Sequence, residues 1–382
     1  MNKIFISLMF ILLCNCSSTP IQDILPDTTD TTQPDKDATG GSTDNPGDDT
    51  TDNPTDDENY GTSTYDVNRP VGFATTGATP TGGKGGNSVT VTTATELTNA
   101  LKKTEKLIIY IKGTITTEKV ISVLATNKTL LGLPGSALTN PNRTKDGSGI
   151  LYFKKGSDNL ILRNVTFKSA GAHDVDGWDN LCIDGTTNIW VDHCDFQDGV
   201  DGNFDCKNVS DNIAVTWCRF RYLIAPLAGG PGGNDAHCFS NLWGNSDSHT
   251  EDRGHLNTTF QFCWWDEGCR DRMPRVRFAR IHIANCLYSS TVSSHCIGAG
   301  KEADVYVEKS VFTGFKKDKV YKTYTDDAKV YLKQCISPLS GSEASGTGSS
   351  FTPPYTLTTI DAAKVEEVVK GSAGATLTIK EP

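Results

Sequence analysis

Two groups of residues stand out for the chemistry they could do together. Asp179 opens the run Asp-Asn-Leu-Cys-Ile-Asp, and Asp201 and Asp205 flank Gly-Asn-Phe in similar surroundings further on. Carboxylates offered by a rigid wall are hard oxygen donors, which suit Ca2+ better than a transition metal. On spacing alone, solvated aspartates at chain corners are the alternative reading. The second group is the run 270–277, RDRMPRVR, with Arg270, Arg272, Arg275 and Arg277. A solvated charge run is one account of it, but Pro274 and the flanking apolar residues point to a partly ordered edge. Planar guanidinium groups bind carboxylates through paired hydrogen bonds. A row of them beside a calcium site would fit a polymer bearing a carboxylate on every sugar.

Such a site needs a wall that brings distant residues together, and the sequence carries one as a repeat. Seven segments look alike: 159–167 (NLILRNVTF), 188–196 (NIWVDHCDF), 212–220 (NIAVTWCRF), 257–265 (NTTFQFCWW), 278–288 (FARIHIANCLY), 304–312 (DVYVEKSVF) and 328–336 (AKVYLKQCI). Each reads as a short strand. The matched positions are Val165, Cys194, Cys218, Cys263, Cys286, Ser310 and Cys335, at steps of 29, 24, 45, 23, 24 and 25 residues. The step of 45 is either two turns or one turn with a long inserted loop. Cys182 and Cys206 form a second pair 24 apart. A period in the low twenties, with strands and no helical pattern between them, predicts an all-β solenoid in which like positions stack about 4.8 Å apart. Thr93–Lys103 (TATELTNALKK) predicts an N-terminal capping helix, with Thr93 and Glu96 as a capping box and Leu97, Ala100 and Leu101 as its apolar stripe. Near the other end, 360–369 suggests a short helix in a segment that wraps back along the outside.

The ladder cysteines read as reduced thiols acting as small apolar plugs. Cys238, Cys269 and Cys296 lie off the ladder and are the ones expected to pair. Residues 1–16 read as an export signal: Lys3 is its one charge, 4–13 is apolar, and Cys14 and Cys16 follow. That ending suggests an outer-membrane lipoprotein lipidated at Cys16 or Cys14, with plain secretion and incidental cysteines as the alternative. Residues 17–60 carry 12 acidic residues and one lysine, a net of −11, and read as a disordered tether. With −10 for the whole chain and +1 for the signal, residues 61–382 come out near zero. The overall acidity therefore says nothing about the folded domain, and no nucleic-acid partner is expected. The membrane is expected only through the lipid anchor, and the domain as a monomer.

Several motifs give a sharper reading. Residues 81–86 (TGGKGG), 189–193 (IWVDH), 272–277 (RMPRVR), 353–355 (PPY) and 373–375 (AGA) occur in the order found in the pectate lyase family, which the chain resembles over nearly all of 71–375. The resemblance implies a right-handed parallel β-helix that cleaves α-1,4-linked polygalacturonate by β-elimination with Ca2+. It implies that Asp179, Asp201 and Asp205 bind the metal. Arg272 then falls at the catalytic base and Arg277 at a substrate-binding position; Arg275, between them in the row, is expected to bind substrate as well. An arginine base working about three units below its free pKa costs roughly 4 kcal/mol, so an alkaline optimum is expected.

The sequence departs from the family pattern twice. Gly177 stands where a second carboxylate is usual, leaving Asp176 or Asp174 as substitutes. Residues 222–227 (YLIAPL) contain no lysine where a substrate-binding one is usual, with Lys207 as a residue that could reach in from a neighbouring coil. These departures keep open weakened activity, a non-catalytic pectin-binding β-helix, or a pectin lyase acting on methyl-esterified polymer. A polygalacturonase would need paired acids with a nearby Gly-His-Gly, and none is present.

Overall fold

A computed structural model of the chain describes residues 68–382. The expected signal (1–16) and the whole of the expected tether (17–60) lie outside the described residues. Three parallel sheets run side by side: one of ten strands, from Asn87–Val91 to Lys329–Lys333, and two of eight. Successive strands of one sheet come from successive turns of the chain, so most turns contribute a strand to each sheet. This is the all-β parallel β-helix expected from the repeat. The long step is a single turn: Asp211–Thr216 pairs directly with Thr258–Gln261, and between them lie Arg219–Arg221 and Leu242–Trp243, one strand for each of the other two sheets, with a long loop joining these two.

Each repeat proves to be two strands rather than one. Asn164, His193, Trp217, Phe262, Asn285, Lys309 and Gln334 all have φ between 45° and 58°, and each immediately precedes a ladder residue. That left-handed residue turns the chain from the first sheet into the second. Six ladder residues then point into the core, from Val165 to Ser310, all fully buried; Cys335 at the last turn is partly covered. The amphipathic alternation on either side masks the corner, because both strands bury the same interior.

Stacking follows from the pairing. Phe167, Phe196, Phe220, Trp265, Tyr288 and Phe312 form a column of six rings with successive centroids 4.9, 5.1, 5.5, 4.7 and 4.4 Å apart. Offset aromatic contacts of this kind add to the large apolar area each ring buries. Asparagine forms a second column, with Asn159 Nδ2 donating to Asn127 Oδ1 at 2.7 Å and Asn212 Nδ2 to Asn188 Oδ1 at 3.1 Å.

The cysteine expectations need two corrections. All ten cysteines of the described residues are free, including Cys238, Cys269 and Cys296. Ladder thiols bond to backbone instead: the Cys194, Cys218 and Cys263 sulfurs donate to the Leu162, Val191 and Val215 carbonyls of the preceding turn. Cys182 and Cys206 do not stack, because Cys182 aligns with Asp205 and Cys206 with Ile183. A one-residue offset reverses the face, so Cys206 joins the core while Cys182 lies beside Asp205.

Helix α1 (Ala94–Lys102) forms with the expected capping box, and Leu97, Ala100 and Leu101 are buried against the first turns. Helix α2 (Ala362–Ser372) sits slightly later than the sequence suggests. It packs Val365 and Val369 on Trp217, Phe262 and Leu287, outside the solenoid. The chain then continues along the first sheet, where Asn164 Nδ2 donates to the Leu377 carbonyl at 3.0 Å. Phe196→Ala should cost about 3–5 kcal/mol of stability by leaving a gap between two rings, measured by denaturant unfolding; a loss under about 1 kcal/mol would show that the column is not close-packed. Dithiothreitol should leave the melting temperature unchanged.

Candidate active site

The eight-stranded sheet that holds Phe204–Lys207 carries the candidate residues on its outer face. Phe204–Lys207 pairs with Leu181–Asp184 on one side and with Leu242–Trp243 on the other, and Leu242–Trp243 pairs in turn with Arg275–Val276. In that register Cys182, Asp205, Leu242 and Arg275 fall in one row across neighbouring turns. Phe204, Cys206, Trp243 and Val276 point inward and anchor it. Asp179 lies just before its strand, held in place by Asn180, whose amide donates to the Gly202 carbonyl and whose side chain donates to Asn203 Oδ1 at 2.9 Å.

The structure brings Asp179, Asp201 and Asp205 together. A methyl group on Gly202 would lie 2.7 Å from Asp179 Oδ1 and 3.0 Å from Asp205 Oδ1, so the two carboxylates converge over a residue that must lack a side chain. Asp179 Oδ1 is buried with no hydrogen-bond partner among the described residues. Burial pushes the Asp179 carboxyl well above the usual range, with Asp205 and Asp201 adding to the rise. Burial likewise pushes Asp205 up to about 7; Arg272 opposes it, Asp201 reinforces it, and the Leu242 amide and Lys207 hold it back. Carboxylates crowded in this way lack a positive partner large enough to balance them. An orphaned oxygen, a cradle free of side chain and an all-oxygen donor set fit a hard cation. The acids do not form a closed cage by themselves: among the described residues no group of three His, Cys, Asp or Glu side chains is arranged to enclose a metal.

Asp176 does not take the place left by Gly177. It turns outward, 86% exposed, and pairs with Lys145. Asp174 lies nearer, with its Oδ1 3.3 Å from His237 Nδ1.

The arginines are divided by what they touch. Arg272 has φ 57°, its amide donates to Asp271 Oδ1 at 2.5 Å, and its guanidinium carbon sits 4.5 Å from the centre of the Phe239 ring. It is also close enough to lower both Asp179 and Asp205 electrostatically. Arg275 lies over the Tyr324 ring at 4.3 Å; burial, then neighbouring Arg277, holds its guanidinium below the usual arginine range. Arg277 bonds the Gly244 carbonyl at 2.8 Å and Asp247 Oδ1 at 2.6 Å. Lys207 aligns with Asp184. Burial pulls its ammonium down, but Cys182, Asp179, Asp205 and Asp184 outweigh that and hold it above the usual lysine range. Arg270 is exposed at the rim.

His237, Phe239, Tyr324 and His295 were not legible as site residues. His295 Nε2 contacts Asp271 Oδ1 at 2.9 Å and the Tyr324 hydroxyl at 3.0 Å, linking the support of Arg272 to the ring under Arg275. His237 and Phe239 fall inside the long step, where the repeat gives no register. The lysine-free stretch 222–227 lies next to the site: Tyr222 donates to the Phe239 carbonyl, while Leu223, Ile224 and Leu227 are exposed.

A family model described as pectate lyase matches residues 62–377. The chain belongs to the pectate lyase family. Pectate lyase plyB of Emericella nidulans is 29% identical over 320 residues, covering 81% of this chain and 89% of that protein. Pectate lyase B of Colletotrichum gloeosporioides is 31% identical over 313 residues, covering 79% and 85%. A pectate trisaccharide-lyase of Thermotoga maritima is 31% identical over 239 residues, covering 58% and 57%. Among solved structures, a Bacillus subtilis pectate lyase mutant superposes with a TM-score of 0.62 at 22% identity, covering 81% of this chain and 97% of that one. A major allergen of cedar pollen gives 0.62 at 19%, covering 80% and 92%. These likenesses support the right-handed parallel β-helix.

A carboxyl whose pKa is raised on folding favours the folded state while protonated. That contribution is complete below the unfolded value and is lost as pH rises through the folded one. In chelator, the melting temperature should therefore fall as pH rises from about 4 to about 7 through the range set by Asp205. Burial pushes the Asp271 carboxyl up, but His295 and the Arg272 amide outweigh it and hold the group below the usual carboxylate range, so its contribution to stability is lost as pH falls, at lower pH than the window of Asp205. Asp205→Asn should flatten the slope; an equally steep slope in that variant would show that the acid pair is not its source.

Proposed function

We propose that this member of the family is a calcium-dependent pectate lyase that cleaves α-1,4-linked polygalacturonate by β-elimination. The observation that carries the reading is the convergence of Asp179 and Asp205 over Gly202, with Arg272 beside them on the same face. Asp179, Asp201 and Asp205 would hold the cation. Calcium bound there supplies positive charge to the uronate carboxylate, which stabilises the charge left on C5 when its proton departs.

Arg272 acts as the base. Its left-handed backbone and its contact with Phe239 fix where the guanidinium points. The C5 proton passes to Arg272, the C5–H electron pair becomes the C4–C5 double bond, and the C4–O bond breaks. The departing oligosaccharide oxygen takes a proton from solvent. Arg275 and Arg277 pair with carboxylates of neighbouring sugars, and Lys207 lies at the acidic end of the same face. Arg275 is available for this: it stacks on Tyr324, and its buried Nε has no hydrogen-bond partner among the described residues.

The exposed Leu223, Ile224 and Leu227 favour one refinement. A free carboxylate placed on that rim would lose hydration without gaining a charge partner, whereas a methyl ester would not. A pectin-type substrate with scattered esters is therefore the second reading. Export and the lipid anchor at Cys16 or Cys14 belong to the proposal as well, supported by the apolar run at 4–13.

Ultraviolet absorbance of the unsaturated product, followed with polygalacturonate, should appear in calcium, vanish in chelator and return on adding calcium. Reducing-sugar release without that absorbance would indicate hydrolysis instead. Arg272→Ala should lower kcat by at least about 10²-fold, in the range typical of general acid–base groups, and activity should be highest at alkaline pH. Ile224→Lys should raise turnover or affinity on polygalacturonate by about tenfold, the worth of one charge-assisted hydrogen bond; no gain would show that the stretch does not meet substrate.

A further inference from the structure

His237 joins the two halves of the site. It lies in the long loop between Arg219–Arg221 and Leu242–Trp243 and is 5% exposed. Its Nε2 lies 2.9 Å from Asp201 Oδ1. The other ring nitrogen, Nδ1, is 3.3 Å from Asp174 Oδ1, out of line for a hydrogen bond. The imidazole packs on Phe239 with centroids 4.3 Å apart, and Phe239 lies under the Arg272 guanidinium. One ring therefore touches a carboxylate of the acid cluster and the platform of the base.

The loop that presents His237 is fixed in place. The Gly232 amide donates to the Asp174 carbonyl at 2.9 Å, the Asn234 amide to Asp174 Oδ2 at 2.9 Å, and the Ala236 amide to Asn234 Oδ1 at 3.0 Å. A methyl group on Gly232 would come within 2.1 Å of Asp174 Oδ1, so the backbone wraps that carboxylate closely. At its far end Phe239 bridges to Asp271, and its carbonyl accepts from the Tyr222 hydroxyl at 2.5 Å.

Asp201 needs such a partner. It is the most exposed of the three acids, with 27% of its side chain accessible, and it faces Asp179 and Asp205. Like-charge repulsion and solvent both favour turning it outward. The contact with His237 is what opposes this.

We propose that His237 is a positioning residue, holding Asp201 toward the calcium site and, through Phe239, holding the Arg272 guanidinium over the same place. The inference rests on the calcium reading given under Proposed function. Outer-shell partners of metal ligands commonly change affinity by 10–100-fold, because they set the ligand's orientation.

Calcium affinity, read by isothermal titration calorimetry on the full chain, tests it without reference to turnover. His237→Ala should weaken calcium binding by about 10–100-fold. His237→Gln, whose side-chain amide can donate to Asp201, should stay within about threefold of wild type, since a neutral donor replaces the ring N–H. Phe239→Leu should leave calcium affinity unchanged while lowering kcat and not KM. Wild-type calcium affinity in His237→Ala overturns the inference, as does an unchanged kcat in Phe239→Leu. Should His237→Ala fail to fold, His237→Gln decides: a loss as large as tenfold there overturns it. A wild-type chain that binds no calcium overturns the calcium reading and the inference with it; a wild type that binds calcium while the variants fail these expectations overturns the inference alone.

Discussion

Backbone hydrogen bonding between successive turns is the constraint on which everything else rests. Each turn lies in register with the next in three sheets at once, so the lateral position of every side chain is set by the strand below it. The left-handed residue before each ladder position keeps that register through the corner. Turns can then differ in length at their loops without shifting the strands, as the long step between Cys218 and Cys263 shows. The interior answers with like on like: small residues at the corner, rings in a column, amides in a row. None of these columns specifies the register by itself. Together they make a slip by one residue cost many contacts at once.

That rigidity explains how acidic groups can be crowded on one face. Asp179 lies just before one strand and Asp205 within the neighbouring one, so neither can retreat without disturbing inter-turn hydrogen bonds. The repulsion between them is sustained by backbone they do not control, and a cation bound there would relieve it. Arg272 shows the same logic from the opposite side. Its amide is held by Asp271, Asp271 by His295, and its guanidinium by Phe239, so the position of the side chain proposed to meet substrate is set by its neighbours.

The repeat was legible because its signals are local: a short apolar strand, a small residue and an aromatic recurring at a steady step. The three aspartates and the arginine run were legible for the same reason, since each stands in a short distinctive string. What the sequence hid was either angular or distant. The corner inside each repeat depends on one φ value, and Asn164 and Trp217 share it with no common side-chain chemistry. The offset between Cys182 and Cys206 is invisible at a spacing of 24, because turns of 23 and 24 residues coexist. His237 and Phe239 reach the site through a loop folded around Asp174, and no periodicity marks where such a loop returns.

The row from Cys182 through Asp205 and Leu242 to Arg275 crosses three pairings, about 14 Å at the spacing of parallel strands. The solenoid thus acts as a ruler laid along a polymer, with its graduations set by backbone geometry rather than by side chains. This limits how such a protein can change in size. Whole turns can be gained or lost at either end, and loops can lengthen anywhere, but a turn inserted between Asp179 and Arg277 would move the acidic cluster and the arginines apart by one graduation. The stretch between those residues is in effect a fixed length, and variation within it has to be carried by loops, as it is in the segment that brings in His237.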